Sequence, residues 1–245
     1  MPVFSASGDY CATNGTDELM VDHPSSIPYI IGVGGTTMTS IKPLKEKVWN
    51  QNGYGTGGGY SRYFPKPSYQ TYPGKKRMVP DITAVGDPDT GVRLCIRGVF
   101  SGGYGGTSMS APFVCSLYAI CQYKYGITKP MYSFLYKAKC FNDIVVGNNK
   151  DDGQGYNATV GYDVCSGLGS IQWNKLIRYL NPSPPPRRLP TLFLKIKVNK
   201  RYSFPYPIRF QSPVLLVQNK YIISNKLGNY IISNSSMTLN VTVLR

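Results

Sequence analysis

The chain has 245 residues and a formal net charge of +15. This length allows one well-formed core with a small appendage. No run of about 18 apolar residues occurs, which excludes a membrane-spanning helix and predicts no membrane partner. Lys and Arg are scattered and carry no RNA-binding or zinc-finger signature, which disfavours a nucleic-acid partner.

Short apolar runs separated by glycine-rich turns dominate residues 1 to 180. We predict strands over Val3–Ala6, Tyr29–Val33 and Val79–Val85, because each run is short and bounded by Gly, Ser or Pro. The first strand should break at Ser7-Gly8-Asp9, and the second at Gly34-Gly35-Thr36-Thr37. Strands interleaved with helices predict an α/β fold with a parallel sheet.

Two segments favour helices. Ala111–Tyr123 is an apolar run that predicts a buried helix, in which Cys115 and Cys121 would be small core residues. Ile171–Leu180 predicts a second helix.

The amino-acid composition changes at residue 182. Residues 182–190 form a proline-rich run, which favours an extended, semi-rigid linker between residues 1–181 and residues 191–245. The last segment is rich in Ile, Val, Tyr and Asn, and we predict a tail of short β-strands or loose order. Its pattern indicates no function.

Ser108 follows the glycine-rich turn Gly105-Gly106 and precedes the predicted helix. A hydroxyl at a helix entrance lies among backbone N–H groups without helical partners, in a field that favours developing negative charge. Acyl-transfer enzymes need this setting for a nucleophile and its oxyanion. The alternative is a serine that only caps the helix.

Five motifs in chain order extend this interpretation. They are Ser7-Gly8-Asp9, Ile31–Thr37, Gly57–Ser61 with Phe64–Gln70 and Val79–Ile82, Gly105–Pro112, and Phe141–Ile144 with Gly161–Asp163 and Gly167–Ser170. Together they resemble the sedolisin family of serine-carboxyl peptidases, which have a subtilisin-like fold, and the resemblance covers about residues 2 to 180.

The resemblance implies a peptidase acting on peptide or protein substrates through an acyl-enzyme, with acidic-pH endopeptidase or tripeptidyl-peptidase activity. It makes Ser108 the nucleophile and Asp9 an oxyanion-hole acid, which would tie activity to acidic pH. The alternative for Asp9 is a turn aspartate that bonds its own backbone. Subtilisins use a histidine base, but the only histidine, His23, lies in a polar segment that predicts a surface loop.

The resemblance also implies one structural Ca²⁺ site. Asp143 and Asp163 would supply side-chain oxygens, and Ile144, Thr159 and Gly161 would supply carbonyl oxygens, a donor set that suits a hard cation. Thr159 replaces a glycine usual in the family, although only its carbonyl is needed. The alternative is a pair of solvated loop aspartates.

The family's general-base glutamate and its aspartate partner are expected upstream of the Ser-Gly-Asp turn, which leaves no room for them here. Asp17 and Glu18 follow the turn and are not assigned to these roles. We therefore expect an N-terminally truncated chain with an exposed apolar face. It would be a fragment of a longer peptidase, the complement of a separate N-terminal half or propeptide, or a catalytically dead relative that serves as a binding or structural protein.

The sequence does not establish the cellular compartment of the protein. The resemblance implies a secreted protein or an acidic, lysosome-like compartment, although Met1–Ala6 has no signal-peptide pattern. Cys140 and Cys165 could pair in an oxidising compartment, but the spacing does not establish a pairing.

Overall fold

The computed structural model describes residues 2–127 and 130–180, and beyond them the backbone of six strands within residues 191–244. Internal contacts divide the chain into two units, Met1–Pro182 and Ser183–Arg245, which are described separately. The predicted linker at residues 182–190 lies outside the described residues.

The first unit combines short strands, two α-helices and four single-turn 3₁₀ helices. In chain order its elements are β1 (Val3–Ala6), a 3₁₀ helix (Cys11–Thr13), β2 (Ile30–Ile41), β3 (Leu44–Val48), β4 (Asn50–Gln51), β5 (Tyr54–Gly55), β6 (Gly59–Pro65), β7 (Lys76–Val79), β8 (Ile82–Val85), a 3₁₀ helix (Pro88–Thr90), β9 (Val92–Ile96), β10 (Val99–Tyr104), α1 (Thr107–Tyr125), 3₁₀ helices (Met131–Ser133 and Leu135–Lys137), β11 (Phe141–Asn142), β12 (Ser170–Ile171) and α2 (Trp173–Leu180).

A six-stranded sheet forms the centre of this unit. Strands β1, β2, β8 and β12 are parallel neighbours in that order, while β11 pairs antiparallel with β12 and β3 antiparallel with β2. The register of β2 with β8 runs from Val33↔Ile82 to Thr36↔Val85. The predicted α/β fold with a mainly parallel sheet is confirmed.

Helix α1 packs across β1, β2 and β8. Its inner face buries Val114, Tyr118 and Cys121 against apolar side chains of the sheet, among them Ile31 and Ile82. The helix ends at a left-handed glycine at position 126, a common helix stop.

The opposite face of α1 corrects the expectation of a buried helix. Phe113, Ile120 and Tyr123 are exposed by 41%, 56% and 95%, and Cys115 is exposed rather than a core residue. Because Phe113, Ile120 and Tyr123 are spaced by seven and three residues, they form one apolar stripe along the outer face. Val3 on β1 is also exposed.

The predicted element bounds shift in three places. Strand β2 continues through the glycine pair expected to end it, as far as Ile41. The third predicted strand splits into β7 and β8 around Pro80 and Asp81, because proline has no N–H for the ladder. Helix α1 begins at Thr107, so Ser108 lies in its first turn.

A buried ion pair fixes the segment between β7 and β8. Arg77 and Asp81 are both fully buried, with Arg77 Nη2 at 2.5 Å from Asp81 Oδ2. The Tyr136 hydroxyl donates to Asp81 Oδ1 at 2.6 Å, and Asp81 Oδ2 also accepts from the N–H of Gly32 in β2 at 2.7 Å. Burial alone would lower the pKa of Arg77, but the adjacent Asp81 carboxylate raises it above its ordinary value. Burial and the same carboxylate raise the pKa of Tyr136.

All six cysteines are free thiols, so the structure contains no Cys140–Cys165 disulfide. Both of these residues are buried. Burial raises the pKa of the Cys165 thiol to about 12 and that of Cys140 to about 11, as expected for thiols away from water.

The second unit is described by its strands alone. They are β13 (Thr191–Lys197), β14 (Tyr202–Ser203), β15 (Leu215–Gln218), β16 (Tyr221–Ser224), β17 (Gly228–Ser233) and β18 (Thr238–Leu244). They form two three-stranded sheets, in the orders β13-β18-β17 and β14-β16-β15. Across the described ranges of the whole chain, none of the helices is both long and apolar enough to cross a membrane.

Candidate active site

The turn after β1 and the start of α1 meet at the carboxyl edge of the parallel sheet. Asp9 Oδ1 accepts hydrogen bonds from the Thr107 N–H at 2.6 Å and from the Thr107 hydroxyl at 2.7 Å. The Gly8 N–H donates to Thr107 Oγ1 at 3.1 Å. Asp9 therefore caps the N-terminus of α1. This contact replaces the bond to the backbone of its own turn, which was the alternative role for Asp9.

Gly106 allows this close approach. Its φ is +83°, and a Cβ at this position would lie 2.8 Å from Asp9 Oδ2. Only glycine adopts this backbone conformation without strain, and only glycine leaves room for the carboxyl group. Because Oδ1 is occupied by Thr107, Oδ2 remains the oxygen of Asp9 that can interact with a ligand.

Ser108 directly follows this capped residue and is exposed. Neither its hydroxyl nor its N–H has a hydrogen-bond partner among the described residues. Its carbonyl also lacks the usual helical donor, because Pro112 stands four residues later without an N–H. Ser108 thus presents a hydroxyl and an unpaired N–H at a helix N-terminus, where anionic groups are stabilised.

The glycine-rich segment of the third motif packs against the same turn. The Gly57 N–H donates to the Gly8 carbonyl at 2.8 Å, and a Cβ on Gly57 would lie 2.1 Å from the Ser7 carbonyl oxygen. The fold therefore brings together three motifs that are far apart in the sequence.

A cleft of about 510 Å³ opens beside this site. Asp9, Gly105 and Gly106 form one wall, and the remainder is aromatic and acidic, with Tyr10, Trp49, Gln51, Asn52, Tyr54, Asp87, Pro88 and Asp89. Ser108 itself lies just outside the lining. Such a concave site with aromatic walls and a few polar groups is typical of a ligand cleft.

Asp87 is a buried acid in this wall that the sequence analysis did not single out. Its Oδ1 accepts from the Asp89 N–H at 3.0 Å, and its Oδ2 accepts from the Thr37 hydroxyl at 2.7 Å. It thereby caps the 3₁₀ helix that starts at Pro88. The Asp-Pro pair was the signal that could have identified this cap.

Among the described residues, none of the acids that follow the Ser-Gly-Asp turn is hydrogen-bonded to Ser108. Glu18 forms an exposed ion pair with Arg62 at 2.6 Å. Asp22 Oδ2 lies 3.3 Å from the position of a Cβ on Gly8, so this side chain lies beside the turn. His23 is exposed, as expected for a surface loop.

The residues of the implied calcium site converge on one loop. Asp143 Oδ2 accepts from the Gly161 N–H at 2.7 Å, and Asp163 Oδ2 accepts from the Thr159 N–H at 2.9 Å. Ile144 follows Asp143 and is buried. Burial raises the pKa of Asp163, although backbone N–H donors, that of Thr159 among them, oppose this shift.

Two carboxylates and neighbouring carbonyls are oxygen donors, which fits a Ca²⁺ ion. Within the described residues no cluster of three or more His, Cys, Asp or Glu side chains could hold a metal, so carbonyls would have to complete the shell. The chemistry of the donors therefore fits the ion, with the two carboxylates as its charged ligands.

The sequence model of the Subtilase family matches residues 3–161 of the chain. The chain belongs to the subtilase family. Within this family its relatives are sedolisins, which confirms the resemblance drawn from the motifs.

Kumamolisin from Bacillus sp. (strain MN-32) is 36% identical over 204 residues, which cover 74% of this chain and 36% of kumamolisin. Sedolisin from Pseudomonas sp. (strain 101) is 37% identical over 180 residues, which cover 65% of this chain and 30% of sedolisin. This subtilase thus spans about a third of the length of these two relatives.

A solved structure extends the match to the fold. The structure of Pseudomonas sedolisin, a serine-carboxyl proteinase complexed with two molecules of pseudo-iodotyrostatin, superposes with a TM-score of 0.65 at 30% identity. The match covers 75% of this chain and 56% of the sedolisin chain. The subtilisin-like architecture of this subtilase is therefore shown.

Proposed function

We propose that the chain contributes the nucleophile and oxyanion site of a sedolisin-type serine peptidase, with Ser108 as nucleophile and Asp9 as oxyanion-hole acid. The observation that carries this proposal is the double hydrogen bond from Thr107 to Asp9 Oδ1 at 2.6 and 2.7 Å. This pair of bonds holds the Asp9 carboxyl group against Thr107, the residue that precedes the exposed Ser108. The partners would be peptide or protein substrates, as for the peptidase family.

The proposed reaction is an acyl transfer. Ser108 Oγ adds to the carbonyl carbon of the scissile peptide bond, and its proton passes to a general base. The resulting oxyanion accepts hydrogen bonds from the Ser108 N–H and from a protonated Asp9 Oδ2. Collapse breaks the C–N bond, the leaving amine takes up the proton, and water then hydrolyses the ester.

The general base would be a residue that is not in contact with Ser108 in this structure. No carboxylate or imidazole among the described residues is hydrogen-bonded to the Ser108 hydroxyl. A glutamate supplied by a further segment, such as an N-terminal half of the domain, would complete the site. The unpartnered hydroxyl also favours a second candidate, a pseudo-peptidase that binds peptides without cleaving them.

The test combines cleavage with binding. Hydrolysis of a denatured protein would be followed from about pH 3 to pH 7, the range over which carboxyl groups titrate. Binding of pseudo-iodotyrostatin, the compound in the Pseudomonas sedolisin complex, would be measured by calorimetry. The variants are Ser108→Ala and Asp9→Asn, with Ser116→Ala on the exposed face of the same helix as the control.

Acid-dependent cleavage lost only in the Ser108 and Asp9 variants would establish the peptidase and show that a carboxylate of this chain acts as base. Binding that depends on Ser108 without cleavage would support a site that awaits its base. Binding independent of Ser108, with no cleavage, would favour the pseudo-peptidase.

We further propose that Asp143, Ile144, Thr159, Gly161 and Asp163 hold one structural Ca²⁺. The ion would neutralise two carboxylates and connect the start of the loop between β11 and β12 to its later part. Ca²⁺ should raise the unfolding temperature of the chain, and Asp163→Asn should abolish the increase. Asp152→Asn, an exposed aspartate of the same region, should retain it.

A further inference from the structure

Two hairpins carry exposed apolar residues at their tips. In the β2–β3 hairpin, Ile41 and Leu44 are paired in register and exposed by 73% and 47%. In the β9–β10 hairpin, Ile96 pairs with Val99, and these two residues and Phe100 are exposed by 51%, 67% and 69%. We call these two groups the hairpin tips.

Both hairpins leave the same edge of the sheet. Strands β2 and β8 run in parallel to the pair Thr36↔Val85, beyond which each chain enters its hairpin. The Met38 N–H of β2 donates to Thr90 Oγ1 at 3.1 Å, two residues before β9 begins. This is the carboxyl edge, at which Asp9 follows β1.

The tips are flanked by four cations that form no ion pair with any residue that the structure describes. Lys42 and Lys45 flank the first tip, and Arg93 and Arg97 flank the second; all four are exposed. The described residues contain two ion pairs, and neither includes these side chains. No acidic residue occurs between positions 89 and 143, so the second hairpin itself contains none.

We propose that the hairpin tips dock the protein onto the surface of an anionic phospholipid bilayer. Apolar side chains at a protruding tip can enter the interfacial layer, which is about 5–10 Å deep, while Lys and Arg remain at the headgroups. About two or three residues of a strand, at about 3.3 Å each, span that depth. Anionic lipids attract the four cations that flank the tips.

A protein partner fits these tips less well. A stable protein interface buries about 800 Å² on each side, usually on a continuous surface. The tips instead offer five exposed apolar side chains, divided between two hairpins. The absence of a spanning helix, which suggested no membrane partner, does not bear on peripheral docking of this kind.

The experiment measures co-sedimentation of the full chain with vesicles. Phosphatidylcholine vesicles would be compared with vesicles containing about one-third phosphatidylserine. The wild type should bind the anionic vesicles and only weakly the neutral ones. Val99→Ser with Phe100→Ser, and separately Ile41→Ser with Leu44→Ser, should each lower the partition coefficient about tenfold.

The charge variants test the preference for anionic lipid. Arg93→Gln and Arg97→Asn should each lower binding to the anionic vesicles about fivefold. Asparagine is chosen because Arg97 has a φ of +51°, which asparagine tolerates. Tyr63→Ser, at a site that is 85% exposed on β6, is the matched control and should bind like the wild type.

Three results would overturn the proposal: no binding to anionic vesicles, equal binding to both vesicle types, or equal loss in the Tyr63 control. Sedimentation velocity without lipid adds a fourth. A dimer that the Val99 and Phe100 substitutions dissociate would show that the second tip serves self-association instead. Unchanged thermal unfolding of each variant would exclude misfolding as the cause.

Discussion

The buried pair of Arg77 and Asp81 allows a quantitative prediction for Asp81→Asn. Both side chains are fully buried, so the substitution leaves the guanidinium in the interior without its counter-charge. Breaking a buried pair by removing one partner typically costs about 3–5 kcal/mol. In a unit of this size, each kcal/mol lowers the unfolding temperature by about 2–4 °C. We therefore expect a decrease of about 6–20 °C.

A surface pair provides the matched control. Arg62 and Glu18 are also within 2.6 Å, but their side chains are exposed by 44% and 72%. Exposed ion pairs contribute only about 0–1 kcal/mol, because water and salt screen them. Glu18→Gln makes the same chemical change as Asp81→Asn and should lower the unfolding temperature by less than about 4 °C.

Urea unfolding followed by circular dichroism would measure both free energies. A double variant, Arg77→Met with Asp81→Asn, should recover part of the loss, because no unpaired charge stays buried. Recovery should be incomplete, since Arg77 Nη2 also donates to the carbonyl oxygens of Ser25 and Ile30. Equal destabilisation by the buried and the surface substitution would refute this reasoning.

Three further predictions concern the candidate site and the thiols. Gly106→Ala should destabilise the first unit by about 1–3 kcal/mol in urea unfolding, because its φ of +83° excludes an L side chain and its Cβ would press on Asp9; an unchanged midpoint would contradict this. Thr107→Val, which keeps the shape but removes the buried hydroxyl, should cost about 1–3 kcal/mol in the same assay, whereas a loss below about 0.5 kcal/mol would mean that the Asp9 cap contributes little. Iodoacetamide at pH 8 should alkylate the exposed Cys95 but not Cys165, because burial raises the pKa of the Cys165 thiol to about 12. Mass spectrometry of the protein alkylated in its native state would measure this, and alkylation of Cys165 before Cys95 would contradict it.

Much of the local structure was predictable from the sequence. Strand β1 has the predicted bounds, because a short apolar run ending in Ser-Gly-Asp admits few alternatives. The path of β2 through Gly34 and Gly35 was not predictable. A Cβ at these positions would lie 2.8 Å from Thr56 Oγ1 and 2.9 Å from the Trp49 ring, so the glycines serve close packing rather than a turn.

The sequence predicted which residues belong to the candidate site, but not the contacts between them. The motifs singled out Asp9 and Ser108, but the pattern around Asp9 was equally compatible with a local turn. Its contact with Thr107 joins residues 98 positions apart, and local periodicity carries no information about such a pair. The burial of Arg77 was missed for the same reason. The role of Asp87 as a cap, in contrast, had a local signal in the pair Asp87-Pro88.

The contact between Asp9 and Thr107 also makes the site a reporter of folding. The Thr107 amide is protected only while the β1 turn and the α1 terminus remain docked, and closing a loop of this length requires most of the first unit to be in place. Hydrogen exchange at this single amide should therefore proceed through global rather than local opening, unlike exchange at most helix N-termini, which fray. One backbone proton would thus measure the stability of the whole unit at the position where chemistry is proposed.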